Sequence, residues 1–379
     1  MAEKRSIFEE VDAPAEAVPS GGVIDAARRT GARGAVRVWL MLLFALVVLM
    51  ITVGGLTRLT DSGLSITEWA PISGAIPPLS AADWEAEFEA YRAIPEYALQ
   101  NQGMSLAEFK VIYWWEWGHR QLGRVIGLVW AVGFLGFLVA RQIPPGWTGR
   151  LLLLGVLGGL QGAIGWWMVS SGLTGTMVDV ASYRLAAHLG LAFVILGLIA
   201  WFTFRLGRSE AALLQARRAR EAKLFSMGTG LMHFAMLQIL LGALVAGIDA
   251  GRAFPTWPLM GDGFFPPNAF QIEPVWRNFF ENAGLVQFIH RMSGYLLAIF
   301  AIVVWSRARR SPHGATRFAF NTVLAAMALQ ILIGIVTVLY SAHWTIAILH
   351  QFTAIVLWVL ILRARFLTQY PLPQTLRSP

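Results

Sequence analysis

Apolar residues gather into eight long runs along this chain, and polar residues are confined to the segments between them. The runs cover about 37–56, 119–140, 150–171, 183–204, 224–247, 288–306, 317–340 and 344–363. Each approaches the roughly 20 residues that carry a helix across a bilayer's hydrocarbon. The pattern predicts eight transmembrane helices. From Phe318 to Leu362 no Asp, Glu, Lys or Arg interrupts the chain, which is too long for one crossing, so the break is placed near Ser341. Two shorter patterns precede the second run. Ser105-Leu106-Ala107-Glu108 has the spacing of a capping box. Asp83 to Arg92 puts Trp84, Phe88 and Tyr91 on one face of a short interfacial helix.

Composition agrees. The 379 residues are 56% hydrophobic and 14% charged, against about 25% charged in soluble domains. The chain is expected to be an all-α integral membrane protein in contact with lipid. It has no cysteine, which excludes disulfides, thiolate-bound haem, iron–sulfur clusters and c-type attachment. A metal here must be held by His, carboxylate, Tyr or Met. The net charge of +8 does not indicate a nucleic-acid partner, because the bases sit in short loops between apolar runs. Arg28, Arg29, Arg33 and Arg37 precede the first run, Arg141 and Arg150 follow the second, and a cluster from Arg205 to Lys223 follows the fourth. Arg307, Arg309, Arg310 and Arg317 follow the sixth, and Arg363 and Arg365 the eighth. Eight crossings put all of them on one side, which makes both termini cytoplasmic. The segment from Thr57 to Gly118, on the opposite side, carries nine acids against three bases.

These signals divide the chain into a cytoplasmic tail at 1–36, a four-helix bundle at 37–206 with a long outer loop at 57–118, and a cytoplasmic linker at 207–223. A second four-helix bundle follows at 224–365 and a cytoplasmic tail at 366–379. The first tail lacks the apolar core of a signal peptide and is too acidic for a transit peptide. It is expected to be partly disordered.

The two bundles read as copies. Glu116-Trp117-Gly118-His119-Arg120-Gln121-Leu122-Gly123 matches Gln287-Phe288-Ile289-His290-Arg291-Met292-Ser293-Gly294. Leu160-Gln161-Gly162-Ala163-Ile164-Gly165 matches Leu329-Gln330-Ile331-Leu332-Ile333-Gly334, and Val53-Gly54-Gly55 is aligned with Val245-Ala246-Gly247. Four helices per half make this a parallel repeat about an axis along the membrane normal. A second histidine follows in each half, His188 and His350. All four are expected at one depth, near the outer ends of their helices. A lone membrane histidine is explained by a hydrogen bond across helices. Two repeated pairs are better explained by two cofactors, each held between His119 and His188 or between His290 and His350. Haem is the cofactor that facing helical histidines hold most readily. His233 is assigned to packing, His313 to a cytoplasmic loop, and His343 to the outer hairpin.

Arg120, Arg124, Arg184 and Arg291 lie near the outer interface and suit the propionates of such a haem, although arginines there also snorkel to lipid phosphates. Glu116 stands three residues before His119, on the same helical face, where the other half has Gln287. The half with the carboxylate can move protons or stabilise a developing cation, and the other half is suited only to electron transfer.

At these residues the chain resembles the haem A synthase family, in its cysteine-free proteobacterial and mitochondrial branch. The resemblance runs from about 38 to 363. Beyond the histidine segments it is carried by Gly54 to Ser65, Phe109 to Gly127, Tyr183 to Gly190, Ala246 to Gly251 and Phe254 to Asp262. It implies an inner-membrane oxidoreductase acting on a CH group. The C8 methyl of haem O becomes the formyl group of haem A, by way of an alcohol and a hydrated aldehyde, for cytochrome oxidase assembly. It implies that His119 and His188 bind the substrate haem, with Glu116 the catalytic carboxylate, and that His290 and His350 ligate a resident haem b. Implied partners are haem O, haem A, haem O synthase, cytochrome oxidase assembly factors and a quinone. A homo-oligomer is left open by the small residues Gly158, Gly159 and Gly162. The same fold also suits a quinol-linked b-type electron-transfer cytochrome, or a haem transporter without chemistry.

Overall fold

The chain is described here from a computed structural model covering residues 21–373; the rest of both expected tails lies outside the described residues. Eight helices are long and apolar enough to cross a membrane. They are α1 (Gly21–Leu59), α4 (Leu106–Val139), α5 (Thr148–Val169), α6 (Ser182–Leu206), α8 (Ala222–Gly247), α10 (Ala283–Ala308), α11 (Gly314–Leu339) and α12 (Trp344–Gln369). Four short helices connect them: α2 (Ala81–Arg92), α3 (Pro95–Leu99), α7 (Glu210–Arg218) and α9 (Asn278–Glu281). No strand is present among the described residues beyond one isolated bridge.

In the first half α1 packs on α4, α4 on α5, α5 on α6 and α6 back on α1, closing a ring of four. In the second half α8, α10, α11 and α12 close the same ring in the same order. Helix α4 is therefore diagonal to α6, and α10 to α12. The rings join where α6 meets α8 and α12, and α12 meets α1. The joint is a core in its own right: Leu196, Ile199, Leu231 and Ile361 are buried in one continuous cluster. Two polar ties cross it, Trp358 Nε1 to the Phe193 carbonyl at 3.1 Å and Gln351 Nε2 to the Ile51 carbonyl at 2.7 Å. Helices α4 and α5 expose Val125, Leu128, Val132, Leu152 and Val156, side chains that suit hydrocarbon rather than water. Gly158, Gly159 and Gly162 also face outward.

Three spans differ from the sequence expectation. Helix α1 is already continuous from Gly21, so the later part of the expected loose tail is helical. Within it, Arg33 is buried, pairs with Glu210 at 3.0 Å, and donates to the carbonyls of Arg205 and Arg208. That docking gives the helix a reason to extend inward of the apolar run. Helix α4 begins at Leu106 rather than near 119, because the Ser105–Glu108 capping box starts it in the aqueous phase. Helix α12 also runs past 365, and the Thr368 carbonyl accepts from the Glu221 N–H at 3.0 Å.

The outer loop of the first half is a small folded cap. Ser80 and Asp83 form a second capping box, and α2 buries Trp84, Phe88 and Tyr91 as its pattern predicts. These pack on the projecting turns of α4: Phe88 stacks on Phe109 at 4.9 Å and Trp84 meets Tyr113 edge-on at 5.0 Å. Glu96 in α3 is 3% exposed, and its Oε2 has no hydrogen-bond partner. Burial, then the neighbouring carboxylates of Asp179, Glu116 and Asp61, push its pKa up to about 8, with Arg58 opposing.

Arg58 bridges the halves. It pairs with Asp61 at 3.0 Å in its own half, with Asp179 at 3.3 Å, and with Asp249 at 3.0 Å in the other half. Asp61 and Asp249 both adopt left-handed backbone, with φ of 49° and 50°, just beyond α1 and α8. They are thus matching residues of the repeat. The expected alignment of Val53-Gly54-Gly55 with Val245-Ala246-Gly247 is one helical turn out of register, and Gly54 corresponds instead to Gly242. A uniformly apolar helix carries small residues on every turn, so its sequence does not fix the phase.

Two outcomes follow. Arg58→Gln leaves three carboxylates facing one another and should destabilise the protein by about 2 kcal/mol, between the surface and buried limits for ion pairs, read as a lower Tm in detergent. Glu96 titrates ordinarily near 4.5 when unfolded and near 8 when folded, so folding takes up a proton between those values. Its contribution to stability falls as pH rises through that window. Glu96→Gln should therefore raise Tm relative to the parent at pH 8, with the gain vanishing toward pH 4.5.

Candidate functional site

The four histidines lie on diagonal helices, two in each bundle. His119 on α4 and His188 on diagonal α6 are close enough to interact electrostatically, as are His290 on α10 and His350 on α12. His188 and His290 lie about two turns inside the outer ends of their helices, deeper than the helix-end positions expected from sequence, while His350 lies six residues into α12, inside the helix end as expected. His119 lies further along its helix because α4 projects into the cap. Each ring is half-buried.

A glycine makes room for every ring. A Cβ on Gly54 of α1 would lie 3.0 Å from His119, and one on Gly165 of α5 would lie 2.8 Å from His188. A Cβ on Gly242 of α8 would lie 3.1 Å from His290, and one on Gly334 of α11 would lie 2.9 Å from His350. The contacts at 2.8 and 2.9 Å are closer than a Cβ can sit and those at 3.0 and 3.1 Å would push the ring aside, so glycine is what lets the imidazole lie against the neighbouring helix. Glutamines complete the seats. Gln161 Nε2 donates to the His188 carbonyl at 3.0 Å, Gln238 Nε2 to that of His290 at 2.9 Å, and Gln330 Nε2 to that of His350 at 3.0 Å. The same amide nitrogens lie 3.2, 3.1 and 3.2 Å from Nδ1 of those rings. Sequence reasoning noticed the Gln-x-x-x-Gly repeat at Gln161 and Gln330 without assigning it a role, and missed Gln238 altogether. The usable signal was a glutamine four residues before a glycine on the helix preceding each of these three histidine helices.

Haem fits these residues. Each pair offers two imidazoles from diagonal helices, and the porphyrin itself supplies the other four ligands. Buried Oε1 atoms of Gln161 and Gln238 have no donor. Among the described residues no three His, Asp or Glu side chains gather as they would for a bare metal ion.

Glu116 lies beside this site, 2% exposed. Its Oε2 accepts from Ser65 Oγ and the Ile66 N–H, both at 2.8 Å, and its Oε1 accepts from Arg120 at 2.7 and 3.0 Å. Arg120 also donates to the carbonyls of Ile66 and Glu68. The pair latches the first stretch of the outer loop onto α4. Gln287 and Arg291 do the same in the other half, both donating to the Phe254 carbonyl, at 3.2 and 2.8 Å. Phe254 and Ile66 occupy matching places, so the repeat extends into the loops. The difference is charge: the first latch contains an ion pair, and the second contains an amide whose Oε1 is buried without a donor.

Arg124 donates to the Ala70 and Pro71 carbonyls and Arg184 to that of Trp167, while Arg291 also reaches Leu259. All four arginines expected near the outer rim are there, each holding main-chain carbonyls. Nε of Arg184 and of Arg291 remains without a partner. His233, expected to pack, is exposed on α8. His343 bonds Thr345 at 2.9 Å in the outer turn, and His313 precedes α11 on the inner side.

Residues 37–362 match the family model described as "Cytochrome oxidase assembly protein". The chain is 70% identical to the heme A synthase of Dinoroseobacter shibae, over 100% of this chain and 99% of that protein. It is 67% identical to that of Ruegeria sp. strain TM1040 and 62% identical to that of Paracoccus denitrificans, in each case over 99% of both chains.

The latch has a measurable consequence. Glu116→Ala strands the Arg120 guanidinium, the Ser65 hydroxyl and the Ile66 N–H, and should cost on the order of 3 kcal/mol with faster proteolysis between 60 and 105. Glu116→Gln, which resembles the other half, should cost about 1 kcal/mol and leave the cap protected.

Proposed function

The chain belongs to the family of cytochrome oxidase assembly proteins, and from that premise we propose that it oxidises the methyl substituent of haem O to the formyl group of haem A. The observation that carries the reading is the chemical inequality of two matched sites: each has a histidine pair, but only the first has a buried carboxylate, Glu116, one turn from its ligand. A plain electron-transfer cytochrome has no use for that inequality.

His119 and His188 would hold the substrate haem by its iron, with the outer cap latched beside it by Glu116 and Arg120; each of the two oxidations takes one oxygen from water and releases two electrons and two protons, and the second product loses water to give the formyl group. Glu116 is the catalytic carboxylate. It stabilises positive charge developing at the substrate's methyl carbon as electrons leave, and Oε2 takes a proton released there when the Ser65 hydroxyl gives way. Gln287 cannot ionise, so the second site lacks this chemistry. Haem b, when bound by His290 and His350, supplies one-electron transfer. Arg120, Arg124, Arg184 and Arg291 set a cationic outer rim for propionates, and the buried Nε donors of Arg184 and Arg291 have no partner within the protein. The acidic cap lies on the outer side of a bacterial inner membrane, and the basic rim with both termini lies in the cytoplasm. Haem O synthase, cytochrome oxidase assembly factors and a quinone are the partners this reading requires for substrate delivery, product use and electron removal.

Extraction of haem from the purified protein, made in cells supplying haem O, tests the reading by chromatography and mass analysis. The parent should yield haem b together with haem O, its alcohol or haem A. Glu116→Gln should keep both haems and lower haem A by about 100-fold or more, and His290→Ala should lose haem b. Parental yields of haem A from Glu116→Gln would remove the catalytic assignment, and haem b alone, two per chain, would favour the cytochrome.

A further inference from the structure

Three of the four histidines are gripped by a glutamine, and one is not. Gln161, Gln238 and Gln330 each stand four residues before the glycine that faces their histidine. In α1 the residue four before Gly54 is Met50. Met50 and Gln238 occupy matching places. A Cβ on Gly123, about one turn beyond His119, would lie 3.3 Å from Met50 Cε, and a Cβ on Gly294, about one turn beyond His290, would lie 3.3 Å from Gln238 Nε2. A thioether has no N–H to donate and is a weak acceptor.

The His119 ring differs accordingly. Among the described residues it makes no side-chain hydrogen bond. It also turns another edge to its glycine: Nε2 is the atom nearest a Cβ on Gly54, whereas Cε1 is nearest for His188, His290 and His350. Two independent observations, the missing amide and the altered ring edge, fall on the same corner.

We propose that Met50 makes His119 the releasable ligand of the substrate haem, so that position 50 sets how fast substrate and product exchange. This rests on the reading of the His119–His188 pair as the substrate site. An outer-shell hydrogen bond to a ligating histidine, here the amide N–H donated to its carbonyl, helps fix the ring's position and orientation, and losing one typically lowers metal affinity by roughly 10–100-fold. A resident haem benefits from two gripped ligands, Gln238–His290 and Gln330–His350. A substrate haem must leave after oxidation, and one gripped ligand, His188, with one ungripped ligand, His119, meets that need. The methionine preserves the packing volume against Gly123 while withholding the grip.

The test uses the full chain in detergent, loaded with haemin, whose loss to excess apomyoglobin is followed optically. The parent should show a fast phase from the first site and a slow phase from the second. Met50→Gln should slow the fast phase by about 10-fold and sharpen the low-spin EPR signal of that haem as the ring becomes fixed. Gln238→Met, the reciprocal change, should accelerate the slow phase by about 10-fold, and it keeps the test decisive if Met50→Gln folds poorly. Haemin bound in both halves, with transfer rates indifferent to positions 50 and 238, overturns the inference alone. Failure of either half to take up haemin overturns the functional reading beneath it.

Discussion

An imidazole inside a membrane bundle needs two things that hydrocarbon does not provide, a recess and a hydrogen-bond partner, and this structure is organised around supplying both. Each histidine lies against a glycine of the preceding spanning helix, with added Cβ atoms meeting the rings at 2.8 to 3.1 Å. The two rings of four place the histidine helices on diagonals and the glycine helices on the other diagonals. Every corner of both bundles is thus committed. The glutamines add a donor where an isolated ring would otherwise pay the cost of an unpartnered polar group in lipid.

The outer loops are hung from the same helices. Position 116 or 287 and the arginine four residues later catch the main chain just beyond the preceding span, at Ile66 in one half and Phe254 in the other. The loop is held by the turn of helix that carries the histidine. The same helical turn thus anchors both the loop and the histidine. Arg58 adds an anchor across the joint, binding Asp61 and Asp249, the two matching left-handed residues.

Much of this was legible in the chain. Span length, the Ser105–Glu108 box and the face of α2 follow from local rules that need no tertiary partner. The histidine pairs were legible because a repeat removes coincidence: the same residue, twice, at one depth. What escaped reading depended on contacts between helices. The start of α1 is governed by Arg33 meeting Glu210, 177 residues away. The register of α1 on α8 is carried by which glycine faces a ring, and apolar sequence has no phase to reveal it. The arginines beside the histidines hold main-chain carbonyls that sequence does not place beside them: loop carbonyls for Arg120, Arg124 and Arg291, and the last turn of α5 for Arg184. His233 shows the reverse failure, since nothing in an apolar run says which of its faces will meet lipid.

Placed on the corrected register, the two halves differ in a concentrated way. The corners built on His188 and His350 are alike, each with a glutamine and a glycine at the same spacing. The His290 corner follows the same plan. The His119 corner alone departs, and it does so twice: Met50 stands where the others have glutamine, and Glu116 stands where its counterpart has Gln287. One change withdraws a grip from the ligand, and the other introduces a carboxylate one turn away. A duplicated electron-transfer bundle needs neither. On the reading proposed above, a site that holds a large planar substrate, oxidises it and lets it go uses both, and confining the changes to one histidine leaves the opposite one to keep the substrate in place. Division of labour in this fold is accordingly a matter of two side chains around a single imidazole, with the remainder of the scaffold held in common.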